Sequence, residues 1–333
     1  MPGVTRRTRY ARLATERANP ASRDLDRLSA RHIARLMNRE DARAVRAVGH
    51  VAGKIAVAVD LIVGSLSRGG RLFFVGAGTS GRLGVLEAAE CPPTFGTPPR
   101  LVQAIMAGGR GSVFRSLEGA EDAGAAGARE VRRRVRSGDV VVGVSASGIT
   151  PFVSAALREA RRRRAATALV TCNAAPAAGV GARVVIDPRP GPEVLAGSTR
   201  LKAGTATKLV LNTLTTASMA RLGRVYGNRM VDVQPRSQKL RDRARRLVEE
   251  LGGVSRPRAA RALASARGRV PIAIIMARKG VTSRAAARAL ANADGSLRSV
   301  LDAADIVVKL RRRDGETRGR RARLVSSMTR SRH

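Results

Sequence analysis

Aromatic side chains make up only 2% of this 333-residue chain, and it has no tryptophan. The core must therefore rest on Ala, Val, Leu and Ile, which suits helices packed on a sheet. Cysteine is almost absent: Cys91 and Cys172 form no CxxC pair, which argues against a disulfide framework or a zinc site. His32, His50 and His333 are too few and too scattered for a metal cluster, so no metal is expected. Long hydrophobic runs are also missing. The longest, Val51–Leu66, is interrupted by Lys54 and Asp60. The basic N-terminus is followed by no apolar segment of the kind a secretory signal needs. A soluble, cytoplasmic protein with no membrane partner is the expectation. Lysine is scarce too, with only six among 63 basic residues.

Arginine, by contrast, is abundant. With the lysines, and against 25 acidic residues, it gives a formal net charge of +38. Such a charge raises the question of nucleic acid. The arginines are spread along the whole chain, however, and no aromatics are interleaved to stack bases. They read as a solvated surface that attracts small anions, not as a nucleic-acid interface.

The hydrophobic pattern predicts an α/β fold. A helical stretch begins at Ser29 and a second covers 44–66. Leu72–Val75 reads as a buried strand, Leu101–Ala107 as a second, Asp139–Val144 as a third, Thr167–Thr171 as a fourth and Val184–Ile186 as a fifth. Helices are expected between them at 112–136 and 152–163, followed by a long one from Leu201 to Leu222. This alternation implies a parallel sheet sandwiched by helices. Residues 239–303 hold short amphipathic helices and no clear strand. The expected organisation is a basic tail and lead-in at 1–28, a main domain at 29–235, a small C-terminal helical domain at 236–303 and a basic tail at 304–333.

Two strand-to-helix loops could hold an anion. After the first strand comes Gly76-Ala77-Gly78-Thr79-Ser80-Gly81-Arg82-Leu83-Gly84. Its glycines permit close backbone approach, a helix opening near Ser80 offers free N–H groups, and Thr79 and Ser80 add hydroxyls. A dinucleotide fingerprint also fits Gly76, Gly78 and Gly81, but the second strand ends in Gly108-Gly109, where that reading needs an acidic residue. The third strand leads into Ser145-Ala146-Ser147-Gly148-Ile149-Thr150-Pro151, with three more hydroxyls. Taken alone, that loop would read as a simple helix cap. Both loops lie at the carboxyl ends of strands, where sites in such sheets form.

Four segments then carry a resemblance. Gly76–Gly96 reads GAGTSGRLGVLEAAECPPTFG and Gly191–Lys208 reads GPEVLAGSTRLKAGTATK. Glu118–Asp122 reads EGAED and Thr15–Ser22 reads TERANPAS. Together with SASGxTP they resemble the N-acetylmuramic acid 6-phosphate etherase family and its relative, the glucokinase regulatory protein. The resemblance implies the sugar isomerase (SIS), flavodoxin-like fold, a homodimer and a small sugar-phosphate substrate. It also implies a reaction that removes D-lactate from C3 by elimination and hydration, with two proton-transfer groups and no cofactor. The family's catalytic pair falls on Glu90 and Glu121. Substrate-binding candidates are Gly78, Thr79, Ser80, Ser145, Ser147 and Thr150, with Glu193, Ser198 and Lys202 from the long block. The alternative is a non-catalytic sugar-phosphate-sensing protein of the same fold. For Lys202, a surface lysine is an equal reading.

Cys91-Pro92-Pro93 predicts that the helix ends at Glu90, placing this carboxylate at the negative end of the helix dipole. Glu90 lies ten residues beyond Ser80, about 15 Å if helical throughout. Either the phosphate therefore sits on Ser145, Ser147 and Thr150, or Glu90 serves a second subunit. Two departures from the family pattern are Ile149, where Arg is usual, and Glu87, where Asp is usual and little consequence is expected.

Overall fold

The computed structural model describes residues 13–173, 180–235 and 237–303; the tails expected at 1–12 and 304–333 lie outside them. The chain forms two compact units, Met1–Arg221 and Leu222–His333.

The first unit opens with α1 (Ala30–Gly49) and α2 (Ala52–Leu66). The single helix expected over 44–66 is broken, and the two axes meet at 61°. The break falls at Gly49-His50-Val51, a run of weak helix formers. Five parallel strands follow in sequence: β1 (Leu72–Gly76), β2 (Val102–Met106), β3 (Val140–Val144), β4 (Ala166–Val170) and β5 (Val184–Ile186). They are near-continuous apolar runs because helices cover both faces of the sheet. Phe73, Val75, Val141 and Leu169 pack on Phe152, Ala156, Leu157 and Ala160 of the helix after β3. Strand order is β2-β1-β3-β4-β5. The chain thus turns one way from β1 to β2 and the other way from β1 to β3. In an open parallel sheet that reversal opens a crevice beyond the carboxyl ends of the two strands.

Helix α3 (Gly78–Phe95) links β1 to β2. It does not stop at Glu90. It runs through Pro92 and Pro93 and ends at Gly96, whose left-handed φ of 64° and N–H bond to Pro92 O close the last turn. The prolines cost the helix two interior bonds but do not break it, and Glu90 stays five residues inside its end. The helix expected over 112–136 is also interrupted. It consists of α4 (Gly111–Phe114), a 3-10 turn (Ala120–Asp122) and α5 (Gly124–Arg134), with Gly119 at φ 73° between the first two. Helix α6 (Pro151–Arg162) follows β3, and α7 (Lys202–Arg221) closes the unit.

Two glycines of the first loop face protein, not ligand. A Cβ at Gly81 would lie 2.2 Å from Met106 Sδ and 2.7 Å from Gly76 O, and one at Gly84 would lie 2.8 Å from Phe74 Cβ. They bring α3 down onto β1 and β2. Gly81→Ala is expected to lower stability by about 1–3 kcal/mol through overpacking, read as a lower urea midpoint. An unchanged midpoint would contradict this packing.

In the second unit a hairpin, β6 (Val225–Tyr226) and β7 (Arg229–Met230), precedes α8 (Gln238–Gly252), α9 (Arg256–Ser265), α10 (Val270–Lys279) and α11 (Ser283–Asn292). Its core takes in Val231 and Val233 together with Leu247, Val248 and Ile272–Ile275.

Candidate active site at the carboxyl edge of the sheet

Gly76 and Val144 are register partners at the ends of β1 and β3, so the two loops predicted from sequence leave the sheet side by side. In the β3 loop the Ser145 hydroxyl lies 2.7 Å from that of Thr150 and 3.3 Å from that of Ser147. The Gly148 N–H donates to Ser145 Oγ at 3.1 Å and the Ile149 N–H to Ser147 Oγ at 3.3 Å. Three hydroxyls thus converge at the start of α6. Thr150 makes no side-chain capping bond to α6, and Pro151 occupies its first turn. The simple cap reading therefore does not describe Thr150, and the N–H end of α6 remains open to an anion.

The β1 loop adds the second wall. Helix α3 begins at Gly78, two residues ahead of the expected start, with no side-chain cap. Gly78 has φ +52°, and a Cβ there would meet nothing within 4 Å. This glycine leaves the open side of the loop clear. Thr79 faces α7: a Cβ at Gly204 would lie 3.9 Å from Thr79 Cγ2. Ala146, Cys172 and Ala203 form a small buried cluster. The loops after β3 and β4 and the first turn of α7 therefore meet.

In the Gly191–Lys208 block, Glu193 and Lys202 both have buried protein partners. Glu193 is fully buried, and its carboxylate accepts the N–H groups of Lys202 at 2.8 Å and Ala203 at 2.9 Å. It caps α7, with one backbone N–H on each oxygen. Burial pushes its pKa up, and the two backbone bonds offset that only in part. Lys202 is neither a surface lysine nor an open anion contact. It is 1% exposed, and its ammonium lies 2.5 Å from Glu40 Oε2. The same oxygen accepts a bond from Asn19 at 2.8 Å, while Arg43 pairs with Glu40 Oε1 at 3.1 Å. Asn19 also donates to Pro192 O at 3.2 Å. Glu40 and Asn19 were missed from sequence; the signals were the TERANPAS segment and the rarity of lysine. Ser80 and Ser198 are half-buried, and neither hydroxyl has a hydrogen-bond partner among the described residues.

The two candidate glutamates are separated within the chain. Glu121 sits exposed on the 3-10 turn and lines a cavity of about 270 Å³ with Gly78, Arg82, Met106, Ser112 and Glu118. Arg82 holds the far wall through a 2.8 Å bond from Nε to Val113 O. Glu90 is exposed too, but it lies 12 residues past Gly78 along α3, about 18 Å down the axis. It does not line that cavity. One turn before it, Glu87 has a larger role than expected. Its buried carboxylate holds Lys208 Nζ at 2.8 Å and accepts the Thr215 hydroxyl at 2.7 Å, tying α3 to α7. Burial, with the charges of Glu87 and Glu90, pushes the adjacent Cys91 thiol up to about 12. Among the described residues no group of three or more His, Cys, Asp or Glu is placed to hold a metal ion. No single helix among them is long and apolar enough to cross a membrane.

Residues 54–161 match the glucokinase regulatory protein N-terminal SIS domain. An N-acetylmuramic acid 6-phosphate etherase of Symbiobacterium thermophilum is 52% identical over 270 residues, which covers 81% of this chain and 90% of that protein. One from Synechocystis sp. is 47% identical over 293 residues, covering 88% of this chain and 96% of that protein. Among solved structures, a phosphoheptose isomerase from Francisella tularensis aligns with 58% of this chain and 99% of its own, at 17% identity and a TM-score of 0.46. By its identity to full-length relatives, the chain belongs to the N-acetylmuramic acid 6-phosphate etherase family.

Proposed function

We propose that this protein cleaves the D-lactyl ether of N-acetylmuramate 6-phosphate, yielding N-acetylglucosamine 6-phosphate and D-lactate in amino-sugar recycling. The reading is supported by the Ser145–Thr150 hydroxyl cluster, which leaves the sheet beside the β1 loop, and by the cavity that Gly78 shares with Glu121, in a chain of this family.

The phosphate sits on Ser145, Ser147 and Thr150 at the N-terminus of α6, where N–H groups and the helix dipole favour an anion. Gly78, Thr79 and Ser80 form the facing wall. The sugar reacts in its open form, in which the C1 aldehyde acidifies the C2 proton. Glu121, in the adjoining cavity, takes that proton. Lactate then leaves C3, with a proton supplied on the ether side by Glu90, and water adds to the alkene. Glu90 lies about 18 Å along α3 from the glycine turn that faces the phosphate loop, and it does not line the cavity of Glu121. It acts in the site of a second copy, so the working form is a homodimer in the cytoplasm. A sensing protein of the same fold would have no need of a carboxylate beside the phosphate loops. Incubation with N-acetylmuramate 6-phosphate tests the reading: release of D-lactate supports it, and no release rejects it.

A further inference from the structure

A second concave surface lies beyond the edge strand β5. Arg43, Arg46, His50, Lys54, Asp187 and Arg189 line an open depression of about 610 Å³, a size that suits a small-molecule site. Its shape follows from the sequence. Arg43, Arg46 and His50 recur at helical spacing on one face of α1, and the 61° break brings Lys54 of α2 round to meet them. The opposite rim is Asp187-Pro188-Arg189-Pro190, stiffened by its prolines.

Three features describe this surface. Arg46, His50 and Lys54 have no hydrogen bond or ion pair among the described residues. Arg189 holds a left-handed backbone, φ 51°, a conformation costly for a residue with a Cβ. Its Nε lies 2.5 Å from Asp187 Oδ2, which fixes the guanidinium at the rim. Asp187 is itself buried, and its Oδ1 has no hydrogen-bond partner. The loop after β5 lies two strands from the Ser145–Thr150 loop, roughly 10 Å across the sheet.

We propose that this depression binds a small ligand bearing a di- or triphosphate group, separately from the phosphosugar crevice. A chain of phosphates offers several anionic oxygens to the cations of α1, α2 and Arg189 at once, through charge-assisted bonds. The pre-set rim lowers the cost of ordering.

The test is titration calorimetry of the full chain with inorganic triphosphate and, separately, with ATP. Three proteins are compared: wild type, Arg46→Gln/Lys54→Gln, and the control Arg258→Gln/Arg261→Gln, which removes two exposed arginines of α9. Binding with one site per chain is expected, weakened about tenfold or more in the first variant and less than about twofold in the control. Tighter binding of ATP than of triphosphate identifies a nucleotide as the source; equal binding identifies the polyphosphate alone. Equal weakening in both variants, or binding without a defined stoichiometry, would mean diffuse attraction to a basic surface and would overturn the proposal. Displacement of triphosphate by duplex DNA with tighter binding would overturn it as well.

Discussion

Glu121→Gln is expected to lower kcat for lactate release about 10²–10⁴-fold, the usual loss when a positioned proton-transfer group is removed. Its urea midpoint should not move. Glu121 is exposed on a 3-10 turn, with no hydrogen bond or ion pair among the described residues, so the amide leaves no buried partner stranded. Glu90→Gln should behave in the same way for the same reason. The separation of the two glutamates makes a mixture informative. If each site takes Glu121 from one copy and Glu90 from the other, a heterodimer of the two variants carries one intact site and one doubly altered site. Mixing two inactive proteins under exchange conditions should then restore about a quarter of wild-type activity. No restoration, with exchange demonstrated, would place both carboxylates in one chain's site and reject the shared arrangement.

Lys202→Met is expected to be the most destabilising single change, about 3–5 kcal/mol. The methionine fills a similar volume, so the loss is electrostatic. Glu40, 2% exposed, would keep a carboxylate next to Asn19 and the partly exposed Arg43 without its buried cation. The double variant Glu40→Gln/Lys202→Met should recover part of the loss, which a double-mutant cycle reads as coupling. The pH dependence has a definite sign. Burial alone would raise Glu40, but the bonds from Lys202 and Asn19 and the charges of Lys202 and Arg43 hold it below the ordinary 4.5. Its contribution in the wild type is therefore present above 4.5 and lost as pH falls through the lower folded value. The deficit of Lys202→Met should shrink over that same acid range. Glu193 runs the other way: burial raises it, so its contribution is present below 4.5 and declines as pH rises through its folded value. A deficit in Lys202→Met that is small at neutral pH, or that grows on acidification, would contradict the buried pair.

These two predictions rest on residues of very different legibility. The α/β sheet and the two adjacent strand-end loops could be read from sequence because each strand–glycine–helix or strand–serine–helix unit is local. Glu121 could be found through the EGAED segment, whose resemblance is also local. The Lys202–Glu40 pair joins residues 162 apart, and Asn19 reaches Pro192 across 173. No periodicity signals such contacts, so Lys202 read equally as surface or ligand. The cap that Glu193 makes on α7 was not legible, because a buried helix cap and a sugar ligand call for the same carboxylate. The helix through Pro92 and Pro93 defeated a sound local rule: two lost backbone bonds were outweighed by the packing of α3 on β2 and by the closure at Gly96.

The central claim is that this chain breaks the C3 ether by elimination and then adds water at C3. Its most direct test is the reaction of N-acetylmuramate 6-phosphate in ¹⁸O-labelled water, with both products analysed by mass spectrometry. The predicted result is release of D-lactate free of label, with ¹⁸O in the hydroxyl at C3 of N-acetylglucosamine 6-phosphate. Unchanged substrate, or label in the lactate hydroxyl, would contradict it.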